Sequence, residues 1–190
     1  SQFGVDELLE MTIDDRGYKW ITSKDAATGI VVFDEGDISD ASDDRFLRIN
    51  TNNSALLTNI TNDIATDLDG DVWVGTDQGV VVFECPNNLI EAGCAGRRPI
   101  VIVDGVAAEL LVNERVNAVA IDGANRKWFG TNHGIFVQSA NGQEEVARFD
   151  VQNSPLLSDQ IIDIAIDEKT GEVWIVTALG LMTYRTNATH

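Results

Sequence analysis

Residues able to do chemistry are few and scattered in this chain of 190 residues. Histidine occurs twice, at His133 and His190. A Ser-His-Asp triad needs a histidine base held beside a nucleophile and oriented by a carboxylate, and no Gly-x-Ser-x-Gly elbow supplies the serine. His133 sits in Asn132-His133-Gly134 with no Cys or His at metal-ligand spacing, so it reads first as a turn residue. Asp67-Leu68-Asp69-Gly70-Asp71 has the look of half a calcium loop. The full loop needs more oxygen ligands and a distal Glu, and none stands at that spacing, so turn chemistry is the better reading here and at Asp14 and Asp122. Asp34-Glu35-Gly36-Asp37 with Asp40, Asp43 and Asp44 is an acidic loop, either solvated or holding a cation loosely. Cys85 and Cys94 have no zinc ligands beside them. A disulfide across a loop is the natural reading and implies an oxidising compartment; two free buried thiols are the alternative. Trp20, Trp73, Trp128 and Trp174 are either a sugar-stacking set or packing wedges. On these residues we expect no catalytic, cofactor-binding or metal-binding site, and no cofactor.

Bulk properties bound the partners. Acidic residues number 31 against 13 basic ones, for a net charge of −18. That field repels nucleic acid and anionic membrane surfaces, and suits a solvated surface, a cation or a basic partner. Hydrophobic residues make up 44%, enough for a packed core and too many for a disordered chain. No apolar run approaches the roughly 18 residues of a membrane helix. The chain opens on a polar Ser1-Gln2 and soon enters a repeat, as a piece of a longer precursor would.

The elements that position these residues recur. The tryptophans lie 53, 55 and 46 residues apart, from the differences 73−20, 128−73 and 174−128. Around each runs the same sentence: ITNDIATDLDGDVWVGTDQGVVVFE from Ile60, VNAVAIDGANRKWFGTNHGIFVQ from Val116, IIDIAIDEKTGEVWIVTALGLMTY from Ile161, and LLEMTIDDRGYKWITSKDAATGIVVFD from Leu8. Asn53-Ser54-Ala55-Leu56-Leu57 leads into copy two and Asn153-Ser154-Pro155-Leu156-Leu157 into copy four, with Leu110-Leu111 in that place before copy three. Each copy predicts a strand, a turn, a Trp-centred strand, a second tight turn and an apolar third strand. Gly17, Gly70, Asn125 and Gly171 fill the first turn, where positive φ is needed. Gly29, Gly79, Gly134 and Gly180 fill the second. Outer strands are expected at Arg45–Asn50, Pro99–Val103 and Val146–Val151, and no segment has helical periodicity of useful length. The result is an all-β chain of four antiparallel four-stranded blades, a β-propeller. The blades are expected at 7–51, 52–104, 105–151 and 152–186, with a tail at 187–190. In this frame each tryptophan should wedge between neighbouring blades.

The copies resemble the two-component-regulator propeller repeat, through DLDGDVWVGTDQGV, DGANRKWFGTNHGI and, more loosely, DEKTGEVWIVTALGL. Within that family the PorZ-like surface proteins of the type IX secretion system look nearer. They share irregular blades with long outer loops, a Cys pair in one loop and a Thr/Asn-rich end such as Arg185-Thr186-Asn187-Ala188-Thr189. The resemblance implies a non-catalytic binding or scaffold module at the surface or in the periplasm of a Bacteroidetes-like bacterium. It also implies a role in attaching secreted cargo to anionic surface lipopolysaccharide, so the partner class is a protein, polysaccharide or lipopolysaccharide. Two rivals stay open. One is the oligosaccharide-sensing periplasmic propeller of a hybrid histidine kinase. The other is a streptogramin-lyase-like enzyme, which would use His133, although such repeats lack the Gly-Thr-x-x-Gly step seen here. The ends of the chain suggest a piece cut from a larger ring. Its terminal blades should then self-associate, Leu8–Asp34 of one copy against Ile161–Tyr184 of another.

Overall fold

The computed structural model describes residues 7–23, 25–103, 105–167 and 169–185; His190 and the Thr/Asn-rich stretch beyond Arg185 lie outside them. Blade one comprises β1 (Leu8–Ile13), β2 (Lys19–Ser23), β3 (Ile30–Asp34) and β4 (Arg45–Ile49), paired in that order. Blade three repeats it with β10 (Val116–Ile121), β11 (Lys127–Thr131), β12 (Gly134–Gln138) and β13 (Glu145–Phe149). Blade two has three strands, β5 (Thr61–Thr66), β6 (Val72–Thr76) and β7 (Gly79–Phe83). Blade four also has three, β14 (Ile161–Asp167), β15 (Glu172–Thr177) and β16 (Gly180–Arg185). All pairings are antiparallel, and the chain is a set of propeller blades.

Strand register explains why the repeat is spelled as it is. Each tryptophan faces a small residue on the inner strand: Thr12 opposite Trp20, Ala65 opposite Trp73, Ala120 opposite Trp128 and Ala165 opposite Trp174. The small partner leaves room for the indole to lie over its own blade towards the next. Glycine in the second turn is forced by closeness as well as by dihedral angle. Gly134 has φ of 106°, and a Cβ there would stand 2.2 Å from the Phe149 carbonyl oxygen. At Gly79 (φ 95°) it would stand 2.9 Å from the Leu111 carbonyl oxygen.

Two features depart from the expected blade. The stretch expected as blade two's outer strand does not pair with β7. Arg97 makes a single bridge to Val82, the place that Leu47 and Ala147 hold beside Val32 and Val137 in blades one and three. The chain then leaves the sheet at Pro99, which has no N–H to give a ladder. It forms its own hairpin, β8 (Ile100–Val103) with β9 (Val106–Glu109), so the expected boundary at 104/105 falls within this hairpin. The second departure is a one-turn helix, α1 (Leu89–Ala92), inside the loop between Cys85 and Cys94.

The core is divided among the blade junctions. Trp20, Ile30, Val32, Val72, Val74 and Phe83 close the first, Trp73, Val80, Val82, Phe129 and Phe136 the second, and Trp128, Ile135, Val137, Val173 and Ile175 the third. Inner strands pack in sequence, β1 on β5, β5 on β10 and β10 on β14. Among the described residues no comparable packing joins β14 to β1, so the blades form an arc. Its two end faces carry exposed apolar residues, Met11 and Ile13 on blade one, Trp174 and Leu181 on blade four.

Candidate functional site

Three of the four tryptophans are wedges. Trp20, Trp73 and Trp128 are 0–2% exposed and meet Phe83, Phe129 and Tyr184 of the next blade, at ring-centroid separations of 5.4, 6.1 and 6.2 Å. Trp174 departs from the expectation: it is 41% exposed. The reason is positional, because each indole points to the following blade and no described blade follows the fourth. The buried three are closed to a sugar, which removes the stacking set.

The turn aspartates do more than turn. Asp67 accepts the backbone N–H groups of Asp69 and Asp71 on Oδ1 and the indole N–H of Trp73 on Oδ2, at 2.9 Å. Asp14 and Asp122 repeat the pattern with Trp20 and Trp128, at 3.1 and 2.9 Å. Asp stands six residues before Trp in three copies, and the structure adds an indole contact to the turn that this aspartate predicts. A buried indole N–H without an acceptor is costly, so one carboxylate fixes both the turn and the wedge. Each is then matched by a cation: Arg16 on Asp14, Arg126 on Asp122, and Lys127 of blade three on Asp67 of blade two at 2.8 Å. Lys127 is fully buried and its Nζ also lies 5.1 Å from the Trp73 ring centroid. This buried pair across a junction had no distinct sequence signal, since Lys19, Val72 and Val173 hold the same place in the other blades.

The acidic loop is tied both to itself and to neighbouring strands, with Glu35 paired to Lys19 and Asp34 to Arg45. Asp37 accepts from the N–H and hydroxyl of Ser39, Asp40 from the N–H of Ser42, and Asp43 from the N–H of Asp37. Hydrogen bonds to Ser39 and Ser42 hold the Asp37 and Asp40 carboxyls below the usual range. Among the described residues no three His, Cys, Asp or Glu side chains are placed to hold a metal ion. His133 stands on the β11–β12 turn, largely exposed, with Nδ1 2.7 Å from Glu114 Oε2. Cys85 and Cys94 are joined as a disulfide, with Cα atoms 5.4 Å apart.

Among the inner-strand carboxyls, Asp63 has an environment suited to proton chemistry. Asp63, on the inner strand of blade two, is pushed up to about 7, chiefly by burial and further by the charges of Asp163 and Glu10. Glu10, Asp63 and Asp163 share a cleft with Asn62 and Asn117 where the inner strands converge. The asparagines are structural, donating to the Val116 and Ile161 carbonyls of the next blade. Asp63 is structural as well. Its Oδ1 accepts the Ile64 N–H at 2.7 Å and its Oδ2 the Val119 N–H of blade three at 2.6 Å. Each oxygen thus holds one main-chain N–H, which ties the inner strands of blades two and three together.

An apolar cavity lies between blades three and four. It has a volume of about 170 Å³ and is walled by Trp128, Phe149, Leu156, Ile175, Met182 and Tyr184. Phe149 stacks on Trp128 at 6.0 Å, and Tyr184 meets Phe149 at 5.2 Å. An apolar cavity with polar groups of Asn153, Ser154 and Thr183 at its lining suits binding.

No family model matches the sequence, and no curated protein matches it. Solved structures do. PorZ of Porphyromonas gingivalis, described as an essential bacterial surface component of the type IX secretion system, superposes with a TM-score of 0.85 at 27% identity, over 97% of this chain and 26% of PorZ. The extracellular domain of a hybrid two-component system from B. thetaiotaomicron gives 0.68 at 23% identity, over 98% of this chain and 22% of that one. Virginiamycin B lyase from Staphylococcus aureus gives 0.52 at 12%, over 95% and 56%. The last two show the fold alone. The chain spans about a quarter of the PorZ chain that it resembles.

Proposed function

We propose that this chain is a non-catalytic β-propeller binding module of a bacterial cell-surface or periplasmic protein associated with type IX secretion. The likeness to PorZ along almost the whole chain, at a TM-score of 0.85 and 27% identity, is the observation that carries the reading. The disulfide supports an oxidising location. The ligand class is a surface polysaccharide or lipopolysaccharide, or a secreted protein. With a net charge of −18, binding to an anionic lipopolysaccharide must engage its uncharged sugars rather than its phosphates. The end faces of the arc meet another blade in the same way that the inner junctions do, and in isolation that blade belongs to a second copy. Surface plasmon resonance with immobilised chain tests the reading: saturable binding of lipopolysaccharide from a bacterium with type IX secretion is expected, and its absence, with binding of free oligosaccharides instead, would favour a sensor.

A further inference from the structure

The second junction breaks the repeat at one buried position. By strand register, Phe33, Phe83 and Tyr184 hold one place on the third strands of blades one, two and four, and Gln138 holds it in blade three. In blades two and four that aromatic side chain meets the tryptophan of the preceding blade, Phe83 on Trp20 and Tyr184 on Trp128. Gln138 puts an amide there instead, and it is 2% exposed. Its Oε1 is buried and has no hydrogen-bond partner among the described residues.

Lys127, the cross-strand neighbour of Gln138, does not serve it. An ammonium has three N–H groups, and those of Lys127 go to the Asn125 and Ala140 carbonyls and the Asp67 carboxylate. A buried acceptor without a donor costs free energy, so the amide is accounted for where a donor arrives from outside.

Gln138 lines a groove of about 820 Å³ between β12 and β13 of blade three on one side and the hairpin β8–β9 on the other. The hairpin wall is apolar, with Ile102, Val103 and Val106 exposed, and among the described strands β8 and β9 pair only with each other. The blade wall is polar. Glu145 stands directly opposite Gln138 across β12 and β13, and neither it nor Glu144 has an ion-pair partner among the described residues. Arg148 lies over the Phe136 ring at 4.6 Å and pairs with no carboxylate among the described residues.

We propose, resting on the binding-module reading, that this groove docks an extended segment of a partner polypeptide with a lysine between two apolar residues. The lysine ammonium donates to Gln138 Oε1 and to the Glu145 carboxylate, two adjacent acceptors that suit a compact point charge with several donors. Side chains alternate along an extended chain, so the flanking apolar residues turn to the hairpin. Arg148 donates to a main-chain carbonyl of the segment. An anionic ligand would face Glu144 and Glu145, whereas the net charge of −18 draws a cation in. The unpaired edges of the hairpin offer main-chain hydrogen bonds of the kind by which extended peptides add to sheets.

The probe is the acetylated and amidated peptide Ser-Val-Lys-Val-Ser, titrated to about 1 mM, a range that detects weak binding. NMR follows the side-chain amide resonances of Gln138, assigned by their loss in Gln138→Leu, and the Glu145 backbone N–H. A saturable shift of both is expected. Methionine in place of the peptide's lysine should weaken binding at least about tenfold, since a charge-assisted hydrogen bond carries that much. Glu145→Gln and Gln138→Leu in the protein should each weaken it. Gln138→Leu should do so without lowering the melting temperature, because it removes an acceptor that the fold leaves unpaired. A glutamine with only a structural role would show the reverse, a lower melting temperature and unchanged binding. No saturable shift, equal binding of the methionine peptide, or equal binding by both protein variants would overturn the assignment. Binding of n-butylamine as tight as that of the peptide would overturn the polypeptide as its occupant. Lipopolysaccharide binding that persists in any of these cases would leave the binding-module reading standing.

Discussion

Trp73 and Trp128 hold two blades each, so truncating either leaves a junction cavity and an aspartate without its indole donor. Trp73→Ala and Trp128→Ala should each cost about 3–5 kcal/mol. In the monomer Trp174→Ala should cost less than about 1 kcal/mol, because this indole is already 41% exposed. Urea denaturation of the three variants, at a concentration low enough to keep the chain monomeric, checks the contrast; equal losses there would refute it. Asp63 gives a pH dependence. Its folded pKa of about 7 lies above the ordinary 3.8, so between those values the folded state holds a proton that the unfolded state has released. Stability is therefore greatest on the acid side of this window and falls as pH rises through 7, by at most about 4 kcal/mol. Asp71, pushed up to about 6 chiefly by burial, acts in the same sense. Urea unfolding at pH 5 and pH 8 should show the fall, and Asp63→Asn should reduce it; stability that is flat or rising would refute the sign. The tryptophans and turn glycines were legible because they repeat at fixed offsets. Asp63 was not, since Glu10, Ala118 and Asp163 hold its place in the other blades and only burial sets it apart.

Among the elements, the loop between Cys85 and Cys94 departs most from the repeat, and it closes a junction by inserting Leu89. The pair itself could be read from the sequence, as two cysteines without zinc ligands. Its cargo could not, because nothing in one copy tells where an inserted loop will fold back. Thiol titration of the unfolded, unreduced chain should find no free thiol, and Cys85→Ser with Cys94→Ser should cost about 2–3 kcal/mol by the chain-entropy estimate for so short a loop. The hairpin β8–β9 was readable in principle. Asp104-Gly105 between two apolar runs is a hairpin signal, in competition with the repeat's expected outer strand at Pro99–Val103. Pattern alone favoured a fourth strand; the proline and the local turn chemistry won.

For the whole molecule, period and blade type followed from the sequence, while the shape of the arc needed the inner strands in three dimensions. Exposed Met11 and Ile13 at one end and Trp174 and Leu181 at the other are apolar faces of the kind that drive association. Light scattering at micromolar concentration should give about twice the monomer mass of 20.7 kDa, and a monomer would show that the end faces do not meet. Function rests on the likeness to PorZ and on a chain whose side chains are spent on holding blades together. The most direct measurement incubates the chain with lipopolysaccharide and follows both the bound fraction and the ligand's mass. Saturable binding with the ligand's mass unchanged is expected, and the same result for His133→Ala. Cleavage or rearrangement of the ligand that disappears in folded His133→Ala would contradict it.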